Sequence, residues 1–307
     1  MSRKILIVED DVVISTDLKI TLENTNQEVI GICETGEDAV NLSEKKKPDA
    51  VIMDIGLKGK MNGIEASQKI LNLDIPVIYT TASKDMEVFE KANIIPAYGF
   101  ITKPFGSKKL TVYVELAINK KESERKRRIL IEKISKECQT KDQVKEKLKD
   151  VDKYLYERLN DQKIKLAPEY TKPEILVVED DTIISLTIKM KLEEKGYTVI
   201  SGITTGEEAL KVIEKHNPDL IVMDIKLKGG ITGIEVSEQI KDLDIPIIYL
   251  TGNDDVTFLI KALETTPDAY LLKPFENQEL QYAVTLALKK HYNEINILLN
   301  RLLMNKN

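Results

Sequence analysis

Histidine and cysteine are scarce in this chain of 307 residues, which holds two of each: Cys33, Cys138, His216 and His291. The cysteines form no paired framework and no metal-ligand spacing, so reduced, buried or incidental thiols are expected, and two histidines are too few for a histidine-based site. Also missing is any apolar run approaching the roughly 18 residues of a membrane span. Met1-Ser2-Arg3 leads straight into Ile5-Leu6-Ile7-Val8 with no secretory apolar region. These absences argue against a disulfide scaffold, a thiolate or imidazole metal centre and a membrane protein, and a cytoplasmic location is expected.

What is present is ordinary for two compact domains plus connecting sequence, with 42% apolar and 31% charged residues. Each half is long enough to bury its own core. The net charge is −6, but Lys120 to Lys165 carries 16 Lys or Arg against 10 Asp or Glu, which leaves −12 on the remainder. Such a charge argues against generic nucleic-acid binding by the globular parts and leaves the basic middle open as a contact surface.

The chain repeats itself. A shift of 170 residues lays Ile5-Leu6-Ile7-Val8-Glu9-Asp10-Asp11 on Ile175-Leu176-Val177-Val178-Glu179-Asp180-Asp181. The register then holds without a gap through Met53-Asp54-Ile55 on Met223-Asp224-Ile225, Asp74-Ile75-Pro76 on Asp244-Ile245-Pro246, and Lys103-Pro104-Phe105 on Lys273-Pro274-Phe275. Two homologous domains are the simplest account.

Within each unit, short β-branched runs (Ile5 to Val8, Glu28 to Ile32, Ala50 to Met53, Pro76 to Thr80, Tyr98 to Thr102) alternate with segments of helical period such as Ile14, Leu18, Leu22. This βαβ succession predicts an α/β fold, with parallel strands joined by right-handed crossovers and helices on both faces. The near-continuous apolar character of Ala50-Val51-Ile52-Met53 fits burial on both sides.

The joining region reads as helix. Ten consecutive polar residues from Asn119 to Arg128 predict that the helix starting near Ser107 leaves its domain and stands in water. Glu122 with Lys126 and Glu124 with Arg128 offer i,i+4 support. Thr140-Lys141-Asp142-Gln143 reads as a capping box that restarts the helix, with Val144, Leu148, Val151 and Leu155 as its apolar stripe and Ala167-Pro168 and Lys172-Pro173 as its end. A second stripe, Ile295, Leu298, Leu299, Leu302 and Leu303, prolongs the last helix. Both stripes need partners.

In an open parallel sheet, ligands bind at the carboxyl ends of the strands, near the topological switch point. Glu9 and Asp10 end the first predicted strand, Asp54 the third, Thr81 follows the fourth and Lys103 the fifth; the second unit repeats this with Glu179, Asp180, Asp224, Thr251 and Lys273. Crowded carboxylates repel, and a divalent cation resolves the repulsion. All-oxygen ligation suits Mg²⁺, which takes one or two carboxylates, keeps waters and bridges to phosphate oxygens. Each lysine adds a point charge suited to a phosphoryl oxygen or to the aspartate itself. Acidic residues after strands are common solvated loop residues, but five polar positions recurring at identical spacings in two copies favour a site built for phosphate transfer.

With these residues in place, the sequence closely resembles the response-regulator receiver domain, once over residues 1 to about 120 and again over about 171 to 292. The resemblance rests on Glu9, Asp10, Asp54, Thr81, Phe100 and Lys103, and on Glu179, Asp180, Asp224, Thr251, Tyr270 and Lys273. It implies two flavodoxin-like five-stranded domains of strand order 2-1-3-4-5. It further implies that Asp54 and Asp224 take a phosphoryl group from a phosphohistidine on a partner kinase or phosphotransfer protein. Glu9-Asp10 and Glu179-Asp180 would hold Mg²⁺ with the carbonyls of Gly56 and Lys226. Lys103 and Lys273 would stabilise the developing charge, and Thr81 and Thr251 would bind the transferred group. Phe100 and Tyr270 would turn into the space those hydroxyls vacate, although ordinary strand packing accounts for the two rings equally. The Lys103-Pro104 and Lys273-Pro274 bonds would be cis. Such domains accept phosphate and catalyse their own phosphorylation and dephosphorylation, and are not turnover enzymes.

The copies differ beside the acceptor, where Gly56 faces Lys226 and Ser83 faces Asn253, so different phosphate lifetimes are expected. Three competing readings remain. Phosphatases resembling haloacid dehalogenases carry a second Asp two residues after the nucleophile, where this chain has Gly56 and Lys226. Nucleic-acid binding through Lys120, Lys121, Arg125, Lys126, Arg127 and Arg128 competes with a plain solvated face, since Glu122 and Glu124 interleave and no aromatic stacking residues or helix-turn-helix are present. A dimeric helical scaffold, with one receiver a non-phosphorylated copy, would act through the linker and the stripe from Ile295 to Leu303. His291 is a conceivable relay histidine, but a lone histidine on a charged helix reads as a surface residue. The expected layout is a receiver at 1–120, a helical linker at 121–170, a receiver at 171–290 and a helical extension at 291–307.

Overall fold

The computed structural model describes residues 2–57, 59–81, 98–152, 155–156, 172–252 and 261–303, with Lys108 as backbone only. The chain divides into two units, Met1–Lys121 and Glu122–Asn307.

The first unit runs β1 (Lys4–Val8), α1 (Val12–Asn24), β2 (Glu28–Cys33), α2 (Gly36–Lys46), β3 (Ala50–Asp54), α3 (Gly63–Asn72), β4 (Val77–Thr81) and β5 (Gly99–Thr102). It closes with α4 (Ser107–Glu137), which continues past the unit boundary. The strands form one parallel sheet of order β2-β1-β3-β4-β5. The alternation of short β-branched runs with helices accounts for parallel strands with helices on both faces; the order 2-1-3-4-5 is the one that the receiver resemblance implies. Every residue of β3 and β4 is buried. On one face Ile5, Ile7, Ile52 and Ile78 pack with Leu18 and Leu22 of α1 and with Leu110, Val114 and Ala117 of α4. Each fully buried aliphatic side chain contributes roughly 1.5–3 kcal/mol, which makes this central layer the main source of stability.

The second unit repeats the scheme with β6 (Glu174–Val178), α6 (Thr182–Glu194), β7 (Thr198–Ile203), α7 (Gly206–His216), β8 (Leu220–Asp224), α8 (Gly233–Gln239), β9 (Ile247–Thr251), β10 (Ala269–Leu272) and α9 (Asn277–Leu303). Its sheet order is β7-β6-β8-β9-β10, again 2-1-3-4-5.

The joining segment behaves differently from a helix in water. After α4 ends at Glu137, Thr140 and Gln143 form the expected capping box and start α5 (Lys141–Lys149). Ile131, Ile134, Cys138, Val144, Leu148 and Leu155 are buried in one apolar cluster with Ile295, Leu298, Leu299 and Leu302 of α9. The two stripes are therefore each other's partners, except that Val151 remains exposed. The polar run 119–128 is solvated only in part: Glu122, Arg125 and Lys126 are exposed, but Glu124 meets Lys290 at 2.8 Å, each about nine-tenths buried, and Arg127 meets Asp152 and Asp244 at 2.9 and 2.8 Å. Charge alone misleads here because Glu124 and Arg127 each have an opposite charge waiting in the same unit. Ala167-Pro168 lies outside the described residues; Lys172 and Pro173 form the irregular lead into β6. Among the described residues no helix is long and apolar enough to cross a membrane.

Candidate functional site

Both sites form where the strands end. In the first unit β1 ends at Val8, and Glu9 and Asp10 follow it; Asp11 then turns away from the rim because its carboxylate caps α1, accepting from the Val13 and Ile14 amides. Asp181 does the same for α6. A short acceptor at the N-cap satisfies two otherwise orphaned amides, so only two of three consecutive acidic residues are left for the pocket. Asp54 and Asp224 are the last residues of β3 and β8. The carboxylates of Glu9, Asp10 and Asp54 can bring one oxygen each within 4.8 Å of one another, and Glu179, Asp180 and Asp224 can do the same.

The backbone beneath each acceptor is fixed by a glycine that the sequence reading did not single out. A Cβ on Gly63 would stand 2.1 Å from the Asp54 carbonyl oxygen, and one on Gly233 would stand 2.2 Å from that of Asp224. Each glycine opens a helix whose N-cap, Asn62 or Thr232, is locked by a reciprocal capping box with Glu65 or Glu235. This lets the helix start lie directly against the strand end. The signal was visible as Asn62-Gly63-Ile64-Glu65 repeated as Thr232-Gly233-Ile234-Glu235.

The lysine after the fifth strand reaches back across the rim. Lys103 Nζ lies 2.6 Å from Glu9 Oε2 and 3.2 Å from Asp54 Oδ1. Lys273 Nζ lies 2.6 Å from both Glu179 Oε2 and Asp224 Oδ2. Both lysines precede cis prolines, Pro104 and Pro274. Burial pushes the carboxyl groups of Glu9 and Glu179 up, the latter to about 7, with the neighbouring aspartate adding to the shift and the lysine opposing it. Burial disfavours the charge on Lys273, but Asp224 and Glu179 outweigh it and hold the ammonium above its usual range.

Thr81 and Thr251 end β4 and β9 and are buried, as are Phe100 on β5 and Tyr270 on β10. Tyr270 packs its ring 5.6 Å from that of Tyr249, and burial first, then Tyr249, drives its phenol far above the usual range. Beyond the acceptors, the Lys226 amide donates to Asp224 Oδ1 at 3.0 Å, where the first unit has Gly56. Lys228, not singled out from sequence, places Nζ 3.1 Å from the Asp180 carbonyl oxygen and 3.4 Å from its carboxylate. Ser83 and Asn253 lie outside the described residues.

Two identical constellations of Glu, Asp, Asp and Lys on two sheets of order 2-1-3-4-5 meet their counterpart among known proteins. The response regulator receiver domain profile matches residues 5–115 and again 175–285. This chain belongs to the response regulator receiver family. It carries two receivers in tandem, hereafter receiver 1 and receiver 2. Receivers are phosphoacceptors of two-component signalling rather than conventional enzymes, they imply a histidine kinase as partner, and the acidic triads here suit such an acceptor.

Among similar proteins, the alkaline phosphatase synthesis transcriptional regulatory protein PhoP of Bacillus subtilis is 40% identical over 118 residues, covering 38% of this chain and 48% of that protein. The transcriptional regulatory protein AfsQ1 of Streptomyces coelicolor is 34% identical over 119 residues, covering 38% and 52%. The chain thus spans about half the length of these relatives. The receiver domain of a modulated diguanylate cyclase from Desulfovibrio desulfuricans is 33% identical, with TM-score 0.39, covering 40% of this chain and 99% of that one.

Proposed function

We propose that Asp54 and Asp224 are the phosphoryl acceptors of a two-component response regulator, each taking phosphate from a phosphohistidine on a partner protein. The observation that carries this reading is the lysine at 2.6–3.2 Å from two carboxylates on different strands, repeated in both receivers. A carboxylate oxygen of Asp54 attacks phosphorus, the P–N bond to the donor imidazole breaks, and the imidazole leaves with the bonding pair. Such transfers need little covalent chemistry from the protein and depend on positioning and charge neutralisation. Lys103 and Lys273 then exchange a carboxylate partner for the phosphoryl oxygens, and Thr81 and Thr251 supply hydroxyl donors from the adjacent strand ends.

The residues fit Mg²⁺: in each receiver three carboxylates can bring one hard oxygen donor each within 4.8 Å of the others, and carboxylates that close repel unless a cation lies between them. Glu9, Asp10 and Asp54, with the Gly56 carbonyl, would hold it in receiver 1; Glu179, Asp180 and Asp224, with the Lys226 carbonyl, would hold it in receiver 2. When bound, Mg²⁺ supplies charge neutralisation for the phosphoryl oxygens. Phe100 and Tyr270, three residues before the lysines, are the candidate switch: recruiting the threonine hydroxyl opens space for the ring and converts a charge change into a surface change.

The test is chemical. After incubation with a small phosphodonor and Mg²⁺, borohydride reduction of the acyl phosphates and peptide mapping should place homoserine at positions 54 and 224 and nowhere else. Reduction products at other aspartates, or none that depend on the phosphodonor, would refute the assignment.

A further inference from the structure

The helical partners α4 and α9 pair in a register that matches the repeat. Glu124 meets Lys290, 166 positions on, and Glu132 pairs with Arg301, 169 positions on. The Ser135 hydroxyl donates to the Arg301 carbonyl at 2.9 Å, again 166 positions on. Because both partners advance together, the segments run parallel. Because the offsets lie within four of the 170-residue repeat, each extension faces nearly its own equivalent. The buried positions are spaced as a coiled-coil seam: Ile131, Ile134 and Cys138 on one helix, Ile295, Leu298 and Leu302 on the other. A parallel pair of equivalent helices in near-identical register is the arrangement that a two-fold homodimer produces between two chains.

We propose that this seam is an internal substitute for a homodimer interface, made by the extensions of the two repeats within one chain and closed to a second copy. Three further features fit an intramolecular seam. Val144 and Leu148 of α5, together with Leu155, join the cluster, so a second copy would have to displace them. The Lys290–Glu124 pair is desolvated, and such a pair fixes register because any shift leaves a buried charge unpaired. Receiver 2 also takes a charge from the linker. In receiver 1, Asp74 is met at 2.6 Å by Lys121 of its own closing helix, but the equivalent position in α9 is His291, and Asp244 is met instead by Arg127.

Spin labels in the full-length protein test this. Lys126, Lys133, Asn293 and Asn300 are exposed, whereas the native Cys33 and Cys138 are buried, so single-turn substitutions can be labelled without touching the cluster. Pulsed dipolar spectroscopy on Lys126→Cys with Asn293→Cys, and on Lys133→Cys with Asn300→Cys, should give similar short distances in both pairs. Those distances should survive dilution with excess unlabelled protein refolded together with it. Light scattering of the unlabelled protein should give the monomer mass of 34.8 kDa. A distance that vanishes on dilution would show that the seam forms between copies, and a short distance in one pair with a long one in the other would show that the helices are not parallel. Either result overturns the proposal.

Discussion

Arg127 and Asp244 lie 117 residues apart and meet at 2.8 Å, with Asp152 gripping the other side of the same guanidinium at 2.9 Å. Burial disfavours the charge on Arg127, yet Asp244 and Asp152 outweigh that cost and hold the group above its usual range. Removing one partner of a buried ionic cluster leaves the others uncompensated. Arg127→Leu should therefore destabilise the second unit by about 2–3 kcal/mol, toward the low end because the aspartates retain some solvent. Hydrogen exchange resolved by peptide checks this: amides across 122–150 should exchange faster while β1 to β5 stay unchanged, and Asp244→Asn in the same background should recover part of the protection.

The acidic rims should be strained by their own charge. Replacing Asp54 or Asp224 by Asn removes one carboxylate from its triad, and in metal-free buffer either variant should stabilise its own receiver by about 1 kcal/mol through relief of one like-charge contact, raising its thermal midpoint. Mg²⁺ should stabilise the wild type and add little to the double variant, since a ligand stabilises only the state that binds it. Calorimetry with and without Mg²⁺ reads both effects; equal Mg²⁺ stabilisation of wild type and double variant would count against the assigned ligands.

The two acyl phosphates should decay at different rates. Lys226 donates its amide to Asp224 and carries a long cationic side chain where receiver 1 has Gly56. Lys226→Gly should move the decay of phospho-Asp224 toward that of phospho-Asp54. Quench-flow mass spectrometry on the single-acceptor variants Asp54→Ala and Asp224→Ala follows each site separately, and matched rates before substitution would contradict the expectation.

Alkaline pH should weaken receiver 1 through Cys33. Burial pushes this thiol from 9.0 to about 11. The unfolded chain therefore loses its proton first, so the stability contributed is complete below pH 9 and is lost as pH rises toward 11, about 2–3 kcal/mol in all. Cys33→Ala should lose less stability than the wild type between pH 8.5 and 10.5 (roughly this window) in thermal melts. Parallel losses in the two proteins would show that folding does not raise the thiol's pKa.

Much of this architecture was legible before any coordinates. The strands and the positions of Glu9, Asp10, Asp54, Thr81 and Lys103 emerge because a β-branched run bounded by polar residues has few other meanings, and because the repeat shows each position twice; the strand order comes only with the family resemblance. What stayed hidden depends on groups distant in sequence. Gly63 reads as an ordinary helix start until the carbonyl of Asp54 is seen pressed against it. The polar run from Asn119 to Arg128 reads as a solvated face because periodicity reports where apolar residues lie, not where Lys290, Asp152 and Asp244 wait for polar ones. The stripes on the two extensions announced that they needed partners but not that each was the other's.

The central claim is that both receivers accept phosphate, and intact-mass spectrometry tests it most directly. The full-length protein is incubated with a small phosphodonor and Mg²⁺ alongside Asp54→Ala, Asp224→Ala and the double variant. The expected result is two phosphoryl additions on the wild type, one on each single variant and none on the double. Additions that persist on the double variant, or a wild type that takes none, would contradict it.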